Sequence, residues 1–511
     1  MQPNIFEMEK IVMMYQSTRN KKSQLTVMEA IMQGISPEGG LFVPDYIPKL
    51  ALDQLTELVD ASYQQRAIEI LRLYLTDYST QDIALCVNAA YRNDNFSSCE
   101  IAPVVSLEDG LHILELWHGP TCAFKDMALQ ILPHFMTIAL NNAKEKKDII
   151  ILTATSGDTG KAALEGFKDV PGTRIMVFYP QEGVSHMQQL QMVTQEGSNV
   201  KVVAVEGNFD DAQTGVKKIF GDNNLKGILE KQGCQFSSAN SINWGRLVPQ
   251  IVYYYSAYLD LVKKGSISMG QSINAVVPTG NFGNILAGYY AKKMGLPIKR
   301  LICASNDNNV LNDFIRTGVY NRKRDFYKTI SPSMDILISS NLERLLFELV
   351  EHDDVQVNKW MQELSETGQY CVKGKALEDL QATVWGGYAT IQQTMRAISE
   401  THQHSGYTMD PHTAVGKWVY DEYRRETGDI TETILISTAS PFKFPGDVLH
   451  AIQPDIDIDI EDEAQLLKRL SEVSQLPIPK PLQGLMGKPI LHKGFCKMKD
   501  MSHEVLTFVK S

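Results

Sequence analysis

Between residues 111 and 304, short apolar runs without polar alternation recur, each followed by a longer segment whose apolar positions have helical spacing. Asp148–Ala154 (DIIILTA) reads as a fully buried strand, followed by a glycine-broken turn and a helix over 159–168. Further strands are expected at Thr173–Phe178, Asn199–Val205, Cys234–Ser237, Ile273–Val277 and Leu301–Ala304. Helices are expected over Asp210–Phe220, Trp244–Lys264 and Gly283–Met294. Strands that are apolar on both faces and alternate with helices form a mostly parallel sheet covered on both sides. In such open α/β folds, ligands bind outside the carboxyl ends of the strands, at strand-to-helix turns.

The flanks read differently. Residues 1–105 are expected to be mostly helical, broken by the loop Ser36-Pro37-Glu38-Gly39-Gly40-Leu41-Phe42-Val43-Pro44. Ala376–His402 reads as one long helix with Gly386-Gly387 as a candidate interruption, and Thr433–Thr438 as a late strand rejoining the main sheet. The chain divides accordingly into 1–105, a catalytic unit over 106–445, and a tail over 446–511. With its acidic run DIDIDIEDE and prolines 477, 479 and 481, the tail reads as peripheral.

Composition narrows the class. At 511 residues the chain exceeds the size of a single core, so two or more domains are expected. Hydrophobic content of 43% with 21% charged residues is that of a globular protein, and a net charge of −11 argues against nucleic-acid binding. Seven cysteines at 86, 99, 122, 234, 303, 371 and 496 form no CxxC pair. Neither a disulfide framework nor a metal site is expected, and a reducing cytoplasm fits. The opening MQPNIFEMEKIVMMYQSTRNKK lacks a signal-peptide pattern, and no stretch approaches the ~20 apolar residues of a membrane span. A soluble protein with no membrane partner is expected; monomer and homodimer both remain open.

Three turns carry candidate chemistry. Thr155-Ser156-Gly157-Asp158-Thr159-Gly160 follows the strand DIIILTA, and hydroxyls and glycines at a helix start make an anion cradle. It is not a nucleotide P-loop, since Thr155 stands where a glycine is needed and Ala162 where a hydroxyl is needed. Gly280-Asn281-Phe282-Gly283-Asn284, between INAVVPT and ILAGYYAKKM, reads as a second cradle without the dinucleotide spacing. For either turn, a plain tight turn without a ligand is the alternative. The third is His118-Gly119-Pro120-Thr121-Cys122-Ala123-Phe124-Lys125-Asp126, where Lys125 sits at a junction between a strand and a helix. A lysine at a helix start is disfavoured by the dipole, which suits an amine used in its neutral form, as Schiff-base chemistry requires. An ordinary exposed lysine is the alternative there. His118 is expected to bond locally, His412 to border the site or to serve structure, and Cys122 lacks a paired histidine motif for a thiolate role. Together, two anion cradles and one junction lysine suit a phosphorylated aldehyde cofactor and an anionic substrate.

The run HGPTCAFKDMALQ resembles the cofactor-lysine segment of the threonine synthases, within the fold-type II pyridoxal-phosphate enzymes. The resemblance extends through YQSTRN, SPEGGLFVP, TATSGDTGKAAL, SSANSINWGR, VPTGNFGNILAGYYAKKMGLP, DPHTAVG and STASPFKFP, in family order over residues 15–446. The GGLFVP loop separates it from the related dehydratases and cysteine synthases. In the last motif this chain carries Ser440 and Phe442 where the common family form has histidine and alanine.

The resemblance implies two open, mostly parallel sheets, a smaller mobile subdomain over about 131–224, and pyridoxal 5'-phosphate as cofactor. Lys125 would carry the cofactor as a Schiff base and shuttle protons. Gly280, Asn281, Phe282, Gly283 and Asn284 would hold its phosphate, and Thr438 would meet its ring nitrogen. Thr155, Ser156, Gly157, Asp158 and Thr159 would grip the substrate's carboxylate or phosphate, and Asn240, Ser241 and Arg246 its anionic end. The implied reaction is conversion of O-phospho-L-homoserine and water into L-threonine and phosphate. A phospho-lyase of the same fold, releasing 2-oxobutyrate and ammonia, and a non-catalytic binder of phosphorylated metabolites remain open.

Overall fold

The computed structural model describes residues 12–108, 110–143, 147–155, 157–181, 184–207, 209–455 and 462–510. The opening MQPNIFEMEKI, Ser156 and most of the acidic run DIDIDIEDE lie outside them. Two sheets organise the rest. The larger has six strands in the order Val384–Tyr388, Ile298–Ser305, Ile273–Pro278, Thr433–Ser437, Leu111–Glu115 and Val104–Glu108, antiparallel only at the last pairing. The smaller has five parallel strands in the order Gly494–Cys496, Val200–Val205, Thr173–Pro180, Asp148–Ala154 and Cys234–Ser237. All the expected strands and the helices between them form, most within two residues of the expected ends. Among the described residues, no helix is long and apolar enough to cross a membrane.

Helix Trp244–Lys263 is the spine of the large half. Its residues from Trp244 to Leu259 are all buried, including four tyrosines. Such a side-chain set needs partners for its hydroxyls, and Tyr253 and Tyr254 donate to Asn284 Oδ1 at 2.8 and 2.7 Å. The buried spine thereby holds a residue of the glycine-rich turn at 280–284.

Several expectations need correction. Ala376–His402 is not one helix: helix Lys375–Thr383 ends in strand Val384–Tyr388, and a second helix spans Ile391–Ser405. The strand forms because Gly386 lets the backbone lie close to a neighbouring helix, where an added Cβ would stand 3.2 Å from Asn312 Cα. After Lys125 the chain forms two helices, Asp126–Leu129 and Leu132–Asn142, with Pro133 at the start of the second. The N-terminal region adds a three-stranded antiparallel sheet, with Tyr15–Ser17 between Asn20–Leu25 and Phe42–Pro44, to its helices.

The tail is not peripheral. Strand Gly494–Cys496 extends the small sheet, and helix Met501–Lys510 buries Met501, Val505, Phe508 and Val509 in that sheet's apolar cluster. Those positions are the i, i+4, i+7, i+8 stripe of a helix that covers a core. The small sheet therefore reaches beyond residue 224, to Ser237, and takes its edge strand from the last twenty residues. Met501, 1% exposed, lies against Gly215, where any side chain would collide with its sulfur. Met501→Ala is expected to cost about 2–5 kcal/mol, read as a lower urea midpoint; a peripheral tail would leave the midpoint within roughly 0.5 kcal/mol of wild type.

Candidate active site

The central strand of the large sheet, Thr433–Ser437, runs into Thr438, whose carbonyl accepts the Phe124 N–H at 2.8 Å. Two residues on, the Ser440 N–H donates to the Cys122 carbonyl at 3.1 Å, and Ala123 pairs with Ala439. This short antiparallel clamp fixes the loop before Lys125 against the carboxyl end of the sheet. On its other side, the Asp126 carboxylate accepts the Thr121 N–H at 2.8 Å and the Thr121 hydroxyl at 2.7 Å. Gly119 leaves room for that carboxylate, since a Cβ there would overlap it. Burial pushes the Asp126 carboxyl up to about 6, against the bonds from Thr121.

Lys125 is 8% exposed and projects into a cavity of about 800 Å³ between the two sheets. Its Nζ lies 3.4 Å from Asp158 Oδ2 and 3.3 Å from Ser333 Oγ, which itself lies 3.3 Å from the same carboxylate oxygen. Burial pulls the Lys125 ammonium towards its neutral form; Asp158 opposes this, while the cations of Lys443 and Arg246 add to it. A lysine lowered in this way is a nucleophile for a carbonyl.

The turn Gly280–Asn284 opens helix Gly283–Met294 and lines the same cavity. Phe282 holds the left-handed conformation (φ 62°) at the N-cap and makes no side-chain cap, so the first N–H groups of the helix are left for another acceptor. Gly280 packs against backbone, where a Cβ would stand 2.7 Å from the Ser333 carbonyl oxygen. Asn284 Nδ2 is buried without a hydrogen-bond partner. Unused donors at a helix start fit a bound phosphate, so these residues suit a phosphorylated cofactor beside Lys125. Thr438 is buried and lines the cavity as well.

Across the cavity, Arg246 is 3% exposed and gives one bond, from Nη1 to the Ala239 carbonyl at 2.8 Å, while Nε is left without a partner. Burial lowers its pKa to about 10, and no carboxylate among the described residues pairs with it. A buried guanidinium with no carboxylate beside it among the described residues has donors that suit an anion. Asn240 and Ser241 line the cavity beside it. At the other turn, the Thr155 hydroxyl is occupied, accepting the N–H groups of Gly157 and Gly160 at 3.0 and 2.9 Å. Gly157 (φ 141°) packs on Gln188, and Ser156 lies outside the described residues. The Asp158 carboxylate faces lysines and is itself anionic, so this residue can meet a carboxylate or phosphate only through its backbone. Thr159 lines the cavity.

Sequence reasoning passed over three contributors. Lys443, in the quoted STASPFKFP run, is fully buried and pairs with Asp158 Oδ1 at 2.6 Å. Ser333 comes from a turn 208 residues away from Lys125, with no motif to announce it. The N-terminal loop also reaches the cavity through Ser36, Gly39 and Arg19, whose guanidinium grips Glu343 at 2.9 and 2.7 Å. His412 serves both readings: Nδ1 bonds Asp410 at 2.8 Å and Nε2 accepts the Ser333 N–H at 3.2 Å at the cavity wall. His118 bonds locally, to Glu115 and Ser97. Ser440 caps its own turn and Phe442 packs in an apolar cluster, so the two departures from the family form do not line the cavity.

Family models described as "Threonine synthase N terminus", "Pyridoxal-phosphate dependent enzyme" and "Threonine synthase, C-terminal" match residues 14–91, 102–383 and 413–489. Human threonine synthase-like 1 is 42% identical over 435 residues, which are 83% of this chain but 58% of that protein. The chain thus spans a little over half the length of that relative. Threonine synthase of Saccharomyces cerevisiae is 37% identical over 491 residues, covering 90% of this chain and 94% of its own. Among solved structures, the pyridoxal-phosphate-bound threonine synthase from Brucella melitensis superposes with a TM-score of 0.85 at 35% identity, covering 98% of this chain and all of that one. The yeast enzyme gives 0.83 at 34%, covering 97% and 99%.

The geometry also sets thiol reactivity. Burial pushes the Cys122 thiol up to about 12 although it lies three residues from Lys125. Iodoacetamide at mildly alkaline pH is expected to alkylate the exposed Cys99 and to spare Cys122 until the protein is unfolded, as read by peptide mass spectrometry.

Proposed function

The chain belongs to the threonine synthase family, and we propose that it is a pyridoxal-phosphate-dependent lyase that converts O-phospho-L-homoserine and water into L-threonine and phosphate. One observation carries the reading: a lowered, buried lysine stands in one cavity with two separate sets of unused anion donors. A reaction in which both cofactor and substrate bear phosphate needs two such sets.

In this reading Lys125 would hold the cofactor covalently, Gly280–Asn284 would take its phosphate through the helix start, and Thr438 would meet its ring nitrogen. A hydroxyl partner, unlike a carboxylate, does not require that nitrogen to stay protonated. Bound there, pyridoxal phosphate supplies an electron sink for the carbon that loses its proton. Arg246, with Asn240 and Ser241, orients the anionic end of the substrate, and the N–H groups around Asp158 and Thr159 take its other anionic group. Once freed as an amine, Lys125 Nζ removes the α-proton and returns protons along the side chain as phosphate leaves Cγ and water adds at Cβ.

The test is product analysis after mixing cofactor-loaded protein with O-phosphohomoserine. Threonine formed in step with phosphate is expected. Phosphate with 2-oxobutyrate and ammonia would assign the phospho-lyase outcome, and no phosphate release would overturn both. Lys125→Ala is expected to abolish turnover and the covalent chromophore, whereas a mere binder would keep its affinity for phosphorylated ligands. Arg246→Met removes a charged donor worth about 1.5–3 kcal/mol, so KM should rise roughly ten- to a hundredfold while the cofactor spectrum stays unchanged.

A further inference from the structure

Asp158 is the first residue of helix Asp158–Phe167, and its side chain is 2% exposed. Two lysines share it. Lys443 Nζ stands 2.6 Å from Oδ1, is itself wholly buried, and makes a second bond to the Thr121 carbonyl at 3.0 Å. Gln188 Nε2 donates to the same Oδ1 at 3.0 Å. Lys125 Nζ lies farther off, 3.4 Å from Oδ2, with only Ser333 Oγ beside it. The remaining groups about Lys125 are Arg246, a second cation, and the Phe124 ring 5.4 Å away.

Asp158 is the one carboxylate within bonding distance of both ammoniums among the described residues; the buried Asp126 carboxylate is taken up by Thr121 and acts on Lys443 only from farther away. Separating a charge from water is costly unless it is paired at close range. The shorter and better bonded pair is Asp158–Lys443, so the proton whose loss costs least is that of Lys125. Lys443 is not among the residues that line the cavity, so it acts through Asp158. We propose that Lys443 is a positioning residue that takes up the charge of Asp158 and thereby leaves Lys125 with the neutral amine that addition to an aldehyde requires. This rests on the reading of Lys125 as the cofactor lysine. The order of the two lysines agrees with this: burial would raise the Asp158 carboxyl, yet Lys443 first and Lys125 second hold that group well below the usual carboxylate range.

The experiment reads Lys125 directly and independently of catalysis. The full chain, stripped of cofactor, is labelled with trace acetic anhydride across pH, and the Lys125 peptide is quantified by mass spectrometry; only the neutral amine reacts. Lys443→Met gives Asp158 to Lys125 alone, so labelling of Lys125 at neutral pH should slow by about tenfold, as one pKa unit brings. Asp158→Asn should speed it, because two cations then face each other without a counter-ion. The double variant should lie near wild type and below Asp158→Asn, which measures the repulsion from Lys443 even if Lys443→Met alone does not fold. Unchanged labelling curves in folded variants, checked by near-ultraviolet circular dichroism, would overturn the proposal, as would faster labelling in Lys443→Met. Neither result would bear on the substrate, which product analysis decides separately.

Discussion

The Asp158 carboxylate joins the two halves of the molecule. It starts a helix on the small sheet, while three of the groups around it, Lys125, Ser333 and Lys443, come from segments carried by the large sheet. A carboxylate is favoured at a helix N-terminus, and here the same dipole that favours it repels the lysines that neutralise it. Burial couples the charged members of this cluster, since removing Asp158 leaves two ammoniums facing each other and removing Lys443 leaves the carboxylate to Lys125. The site is therefore a joint between the sheets as much as a place for chemistry.

Around that joint, the fold delivers each group at the carboxyl end of a parallel strand. Thr155 follows Asp148–Ala154, Gly280 follows Ile273–Pro278, Asn240 follows Cys234–Ser237, and Thr438 follows Thr433–Ser437. These are the turns at which helix N-termini face the crevice, so anion donors collect there without special design. What the sequence adds is selective: an uncapped helix start at Gly283, a guanidinium without a counter-ion at Arg246, and a lysine clamped to the central strand.

The tail and the N-terminal loop extend the same logic to the edges. The small sheet is completed by residues 494–496 and covered by Met501–Lys510, so the platform that carries Asp158 depends on the last segment of the chain. On the opposite side, the loop around Gly39 enters the cavity wall, tied to the large half by the bidentate Arg19–Glu343 pair, at 27% and 7% side-chain exposure.

The sequence alone determined whatever local periodicity and turn chemistry encode. Uniformly apolar strands, helices such as Gly283–Met294, the glycine turns and the junction lysine were all legible, because their signals lie within a few neighbouring residues. A helix was expected where strand Val384–Tyr388 forms, because Gly386 packs against a helix some seventy residues earlier in the chain. Only the tertiary structure decided which charged groups meet. Ser333 and Lys443 lie 208 and 318 residues from Lys125 in sequence, and no local pattern marks a serine or lysine that will be buried beside a carboxylate. The state of Lys125 follows from desolvation and from the sharing of one carboxylate between two ammoniums, and those exist only once the two sheets have closed on each other.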